Sequence, residues 1–173
     1  MLRIRLVPVI FIVIISLAIL FGGWRAYQHL NVVGPLQENL QKVAGVEAVE
    51  VEAGNPTVIR VQLGPVDDLQ TAYDHLVETV SGTFAGTDRL LIEDRRDAQL
   101  VSAYEAITPI LMEGLASGRY REMISGVADE AKHLGVGARV TMDEHNVYIQ
   151  LQHGDRYLYK VLPYTLRQGG GTS

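Results

Sequence analysis

From Leu6 to Gly23 the chain carries no charged residue, and nearly every side chain is aliphatic or aromatic. As a helix rising 1.5 Å per residue, this run of about eighteen residues reaches roughly 27 Å, close to the hydrocarbon thickness of a bilayer. A stretch that is apolar all round has no polar face to turn to water, so the reading is a single transmembrane helix over residues 6–23. Trp24 and Tyr27 follow where aromatic rings favour the membrane interface, and Pro8 sits in the first turn, where a missing N–H costs little. Arg3, Arg5 and the terminal amine precede the run, whereas Arg25 is the one Lys or Arg after it before Lys42. That asymmetry makes residues 1–5 a cytoplasmic stub and places 31–173 outside the cell membrane, in the envelope of a bacterial type of cell. A cleaved signal peptide is the rival reading. Its small-x-small site, Ser16–Ala18, falls inside the apolar run rather than after it.

The rest of the 173 residues suffices for one ordinary domain or two small ones. A net charge of −5 argues against a nucleic-acid partner, which favours a basic face. The chain has no cysteine, which removes disulfides, thiol catalysis, Cys-ligated zinc and lipid-modified cysteine.

The hydrophobic pattern divides the outer part into two units. In the first, residues 34–94, Leu36, Leu40 and Val43 share a helix face, with Pro35 in the first turn and Gly45 as a left-handed cap. Val46, Val49 and Val51 begin a strand, the AGNP stretch at 53–56 turns it, and TVIRVQL returns. Asp67 or Asp68 caps a second helix carrying Leu69, Ala72, Tyr73, Leu76, Val77 and Val80, and RLLIED is a third strand. The order is α-β-β-α-β. In the second unit, residues 97–164, Leu100, Tyr104, Ile107, Leu111 and Leu115 mark one helix, with Pro109 expected to kink it. Tyr120 to Leu134 mark another helix, and ARVTM, NVYIQLQ and RYLYKVL are strands joined by tight turns at Asp143–Asn146 and His153–Asp155. The order is α-α-β-β-β, and Gly-rich residues 168–173 read as a flexible tail. The fold class is therefore α+β: a transmembrane helix followed by two small α/β sandwich units. VAGVEAVEVEAGNPTVIRVQL echoes HLGVGARVTMDEHNVYIQLQ, either as an old duplication or because any helix-then-hairpin unit reads this way.

The GVEAVEV stretch at 45–51 resembles a strand of heavy-metal-associated domains, but their paired-cysteine loop is missing, so a metal-carrier role does not transfer. The α-β-β-α-β order over about 35–94, behind a single-span anchor, resembles the ring-building-motif domains of bacterial secretion and sporulation proteins. The resemblance is topological. It implies an envelope protein that self-associates, while the second unit departs from the pattern because both its helices precede its strands.

Residues able to do chemistry are scattered. His29, His75, His133, His145 and His153 include no i, i+4 pair. The adjacent acids Asp67/Asp68, Glu93/Asp94 and Asp129/Glu130 point apart on any regular element. There is no nucleophile elbow, phosphate loop or dinucleotide fingerprint. No catalytic, cofactor or metal residue is assigned, and the expectation is a protein that is not an enzyme and needs no cofactor. Tyr148, Tyr157 and Tyr159 on the last strands are the candidate partner-contact surface if exposed, since tyrosines supply contact area at low ordering cost, and core if they are buried against the helices. The function expected is a membrane-anchored, non-enzymatic protein whose outer units bind protein partners or further copies of the same chain as a homo-oligomer. The alternative is an anchored ligand-binding or sensory module with a pocket between the units near Asp94–Asp97.

Overall fold

The computed structural model describes residues 13–22, 34–52, 54, 57–81 and 89–165. Helix α1 covers 13–22, and its side chains are exposed. Among the described residues no helix is long and apolar enough to cross a membrane. Residues 6–12 and 23 of the expected span, the stub at 1–5, most of the turn at 53–56 and the tail at 168–173 lie outside them.

The first unit runs α2 (Gly34–Gln41), β1 (Val46–Glu52), β2 (Val58–Leu63), α3 (Leu69–Ser81) and β3 (Arg89–Glu93). The second runs α4 (Ala98–Ser117), α5 (Tyr120–His133), β4 (Gly137–Met142), β5 (Asn146–His153) and β6 (Arg156–Pro163). The molecule is mixed α+β, and each unit has its own three-stranded sheet in sequential order. β1 and β2 are antiparallel, and β3 returns parallel to β2 after the α3 crossover. β4, β5 and β6 form an antiparallel meander.

Local chemistry accounts for the element ends. Gly45 has φ +87° and Gly135 has φ +71°, so both Gly-Val steps of the echoed segments begin with a left-handed residue between helix and strand. Asp68 accepts a hydrogen bond from the Thr71 amide and starts α3, the second of the two candidates read from sequence. Asp97 does the same for Leu100 at the start of α4. Gly154, with φ +58°, is the first of two residues linking β5 to β6, as a type II′ turn requires. The β4–β5 turn has no positive-φ residue and is held instead by the Asp143 carboxylate, which accepts from the His145 and Asn146 amides. α4 runs unbroken through Pro109. The proline and Glu105, whose carbonyl loses its donor, both lie on the exposed side, where water serves that carbonyl.

Two clusters form the core. In the second unit Leu100, Ile107, Leu111, Met123 and Val127 pack on Val147, Ile149, Leu151 and Leu158. α4 and α5 approach closely at Gly114, where an added Cβ would collide with the Met123 side chain. Overpacking of this kind costs about 1–3 kcal/mol, more than the roughly 1 kcal/mol by which Ala outdoes Gly in a helix. Gly114→Ala should therefore lower the thermal midpoint, measured by circular dichroism, even though it raises helix propensity.

Candidate functional site

The second cluster alone does not explain β5 and β6. Both strands are apolar on both faces: Val147, Ile149, Leu151 and Leu158 face α4 and α5, while Tyr148, Tyr157 and Tyr159 face the other way. The structure places these three tyrosines, read as either a surface for outside partners or core, against Leu36, Leu40, Ile59, Leu63 and Leu76 of the first unit. They are 1%, 4% and 2% exposed, so the partner they contact is the chain's own first unit. A signal was present in the sequence: a strand apolar on both faces is one buried on both faces.

Each ring has a distinct role. The Tyr159 hydroxyl donates to the Gly64 carbonyl at 3.0 Å and accepts from the Val66 amide at 3.1 Å. The Gln150 side chain donates to the Val66 carbonyl at 2.7 Å, so both polar groups of Val66 bond to the second sheet. The Tyr148 hydroxyl donates to Asp143 at 2.6 Å, and its ring meets Tyr73 of α3 edge-on, with centroids 5.7 Å apart. Burial, reinforced by the Asp143 carboxylate, pushes the Tyr148 hydroxyl far above its ordinary value. Burial likewise raises that of Tyr159. Desolvation pushes the Asp143 carboxyl up, but the bonds from Tyr148, His145 and Asn146 outweigh it and hold it below the usual carboxylate range. Tyr157 stacks on Tyr159 at 5.1 Å, and its buried hydroxyl has no partner among the described residues.

The connection between the units is tied down along β6. The Asp94 side chain is fully buried. It accepts from the Tyr159 amide at 2.9 Å and from Arg96 at 2.6 Å. The Arg95 carbonyl accepts from the Tyr157 amide at 3.2 Å, while its guanidinium reaches Glu47 at 2.7 Å. Asp97 pairs with His153 at 2.8 Å, and Arg139 reaches the Asp67 carbonyl and the Asp68 carboxylate, each at 3.0 Å. Of the adjacent acids, Glu93 and Asp94 point apart: Glu93 turns to Arg60, at 3.8 Å, while Asp94 turns inward.

Beyond this tied stretch β3 and β6 separate, and a groove of about 280 Å³ opens between them. Its walls are Leu90, Leu91 and Ile92 on one side and Lys160, Val161 and Pro163 on the other, with Tyr73 among the remaining lining residues. Both walls are sheet edges. Arg89 donates to Thr57 across the β2 ladder, so by alternation the backbone groups of Leu90 and Ile92 point away from β2. The Tyr157 and Tyr159 amides point away from β5 to the linker, so the Val161 amide, two residues on, points away from β5 as well. Among the described residues none bonds these outward groups. The opposite edge of the first sheet is different: Gln37 donates to the Val49 carbonyl on β1, and Glu50 and Glu52 line that strand with like charge.

Among the described residues no three His, Cys, Asp or Glu side chains gather as a metal site. His145 lies in the β4–β5 turn and His153 ends β5, at opposite ends of the β4–β6 meander. No protein-family model matches the chain, and no curated protein is found to match it.

Tyr159→Phe leaves the Val66 amide and Gly64 carbonyl without their partner and should cost about 1–3 kcal/mol in chemical denaturation. Tyr157→Phe removes only an unpartnered hydroxyl and should be neutral or stabilising, so the two midpoints should move in different directions or by clearly different amounts. The His153 hydrogen bond, with the Leu100 amide, holds the Asp97 carboxyl below its ordinary 3.8. A group lowered on folding stabilises above its unfolded value and loses that contribution as pH falls through the folded value. The difference in melting temperature between the wild type and Asp97→Asn should therefore be largest above pH 5 and shrink as the pH drops below 3.8.

Proposed function

We propose that this protein is a single-pass, membrane-anchored, non-enzymatic component of a bacterial cell envelope. In this reading the apolar run Leu6–Gly23 holds it in the bilayer, residues 1–5 are cytoplasmic, and the two outer units act together as a body that binds protein. The observation that carries the reading is the pairing of a tied inter-unit contact with an open groove whose two walls are strand edges. A body stiffened by buried tyrosines and by the Asp94 linker loses little order on binding, which favours recognition of a protein surface or segment. The anchor adds to this by confining the body to two dimensions near its partners. Self-assembly in the manner of ring-building domains is one form of the same activity.

Site-specific photo-crosslinking in intact cells tests it, with the photoreactive residue at Leu91 in the groove or at Glu113 on the far helix hairpin. The expected outcome is membrane-retained protein with a discrete protein adduct from Leu91 and none from Glu113. Protein recovered in the soluble fraction, or equal adduct patterns from both positions, would overturn the reading.

A further inference from the structure

The groove between β3 and β6 has more structure than an apolar cleft. The linker descends one residue, from Arg95 to Asp94, while its bonding partners ascend from Tyr157 to Tyr159. β3 and β6 thus run in opposite senses and diverge from a closed end. The linker already occupies the outer edge of β6 up to Tyr159, and the next outward amide, Val161, borders the groove. Facing it are the outward backbone groups of Leu90 and Ile92. One kind of occupant satisfies both walls at once: an extended backbone, which offers amides and carbonyls to each side at strand spacing. Because the walls are antiparallel to each other, it would pair in parallel with one and antiparallel with the other, joining two three-stranded sheets through one added strand.

The side chains narrow the chemistry. Leu90, Ile92, Val161 and Tyr73 belong to the apolar cluster and fill one face of the slot. Leu91, 43% exposed, and Lys160 lie on the other. Lys160, whose ammonium lies 5.9 Å from the Tyr104 ring centroid, is the one charged side chain among the described residues lining the groove. We infer that the groove is a strand-acceptor site for an isolated segment of a partner protein that alternates aliphatic and acidic residues. The inference rests on the protein-binding reading above and names its site and ligand class. Among the described residues a folded second copy offers only strands that are already paired on at least one side, which cannot satisfy both walls.

The test tethers a probe to the full chain in lipid nanodiscs, by appending Val-Glu-Val-Glu-Val after Ser173. Pro163 lines the groove, and the ten residues Tyr164–Ser173 span up to roughly 33 Å when extended, so the probe reaches the slot at an effective concentration near the millimolar range. Amide hydrogen exchange of Leu90, Ile92 and Val161 is read against the untethered chain. The expected result is exchange slowed by about tenfold or more at all three amides. The slowing should vanish when the probe valines are replaced by proline. Val161→Pro removes an outward amide on an edge strand, and its ring keeps much of the apolar bulk that Val161 lends the cluster, so it should keep the fold and abolish protection at Leu90 and Ile92. Unchanged exchange with the valine probe overturns the site, as does equal protection by the proline probe. Protection that appears without any probe and grows with protein concentration assigns the groove to a second copy and overturns the ligand class. Crosslinking from Leu91 reports separately on whether the outer units bind protein at all, so an unoccupied slot with a positive crosslink refutes this inference alone.

Discussion

The arrangement of the molecule depends on the burial of one sheet face, the tyrosine side of β5 and β6, against the first unit. Aromatic side chains bury roughly 150–250 Å² each, so Tyr148, Tyr157 and Tyr159 together contribute on the order of 10 kcal/mol of contact at about 25 cal/mol per Å². Apolar area alone would leave the orientation loose. Direction comes from hydrogen bonds: Tyr159 and Gln150 bond both polar groups of Val66, and Asp94 holds the Tyr159 amide from the other side. Leaving any of these buried groups unpaired costs more than a mean hydrogen bond contributes, which is why they set a unique placement.

That placement decides which strand edges are open. β1 is blunted by Gln37 and its run of glutamates, and the first half of β6 by the linker. The stretch where β3 and β6 diverge is left with backbone groups that no described residue bonds. Native proteins usually manage such edges with charge, proline or cover. Here Pro163 ends β6, but Leu90, Ile92 and Val161 have no such protection, and the contrast with β1 is what draws attention to the groove.

Much of the secondary structure was readable from residue patterns. The valines of β1, the Leu69–Leu76 stripe of α3, the two hairpin turns of the second unit and the left-handed cap at Gly45 all follow from local rules, and the element order came out as expected. The tyrosines were legible as contact residues, while the residue pattern left open whether they face an outside partner or the core. Their neighbours on the opposite face, Val147, Ile149 and Leu151, were the clue that the sheet is covered twice. The linker was harder still. EDRRDAQ mixes signs and reads as a linker or as local ion pairs, and nothing local says that Asp94 turns inward while Glu93 turns out to Arg60.

The sequence by itself determined the elements, their order, the positions of their caps and turns, and the absence of cysteine chemistry, because periodicity, backbone preference and composition act over a few residues. Only the tertiary structure decided that the second sheet is covered on both faces, that the linker lies along β6, and that β3 and β6 diverge into a groove. Those features arise from pairs such as Gly64 with Tyr159 and Val66 with Gln150, nearly a hundred residues apart in the chain. Contacts at that separation are selected by the fit of whole surfaces, and no short window of sequence records that fit.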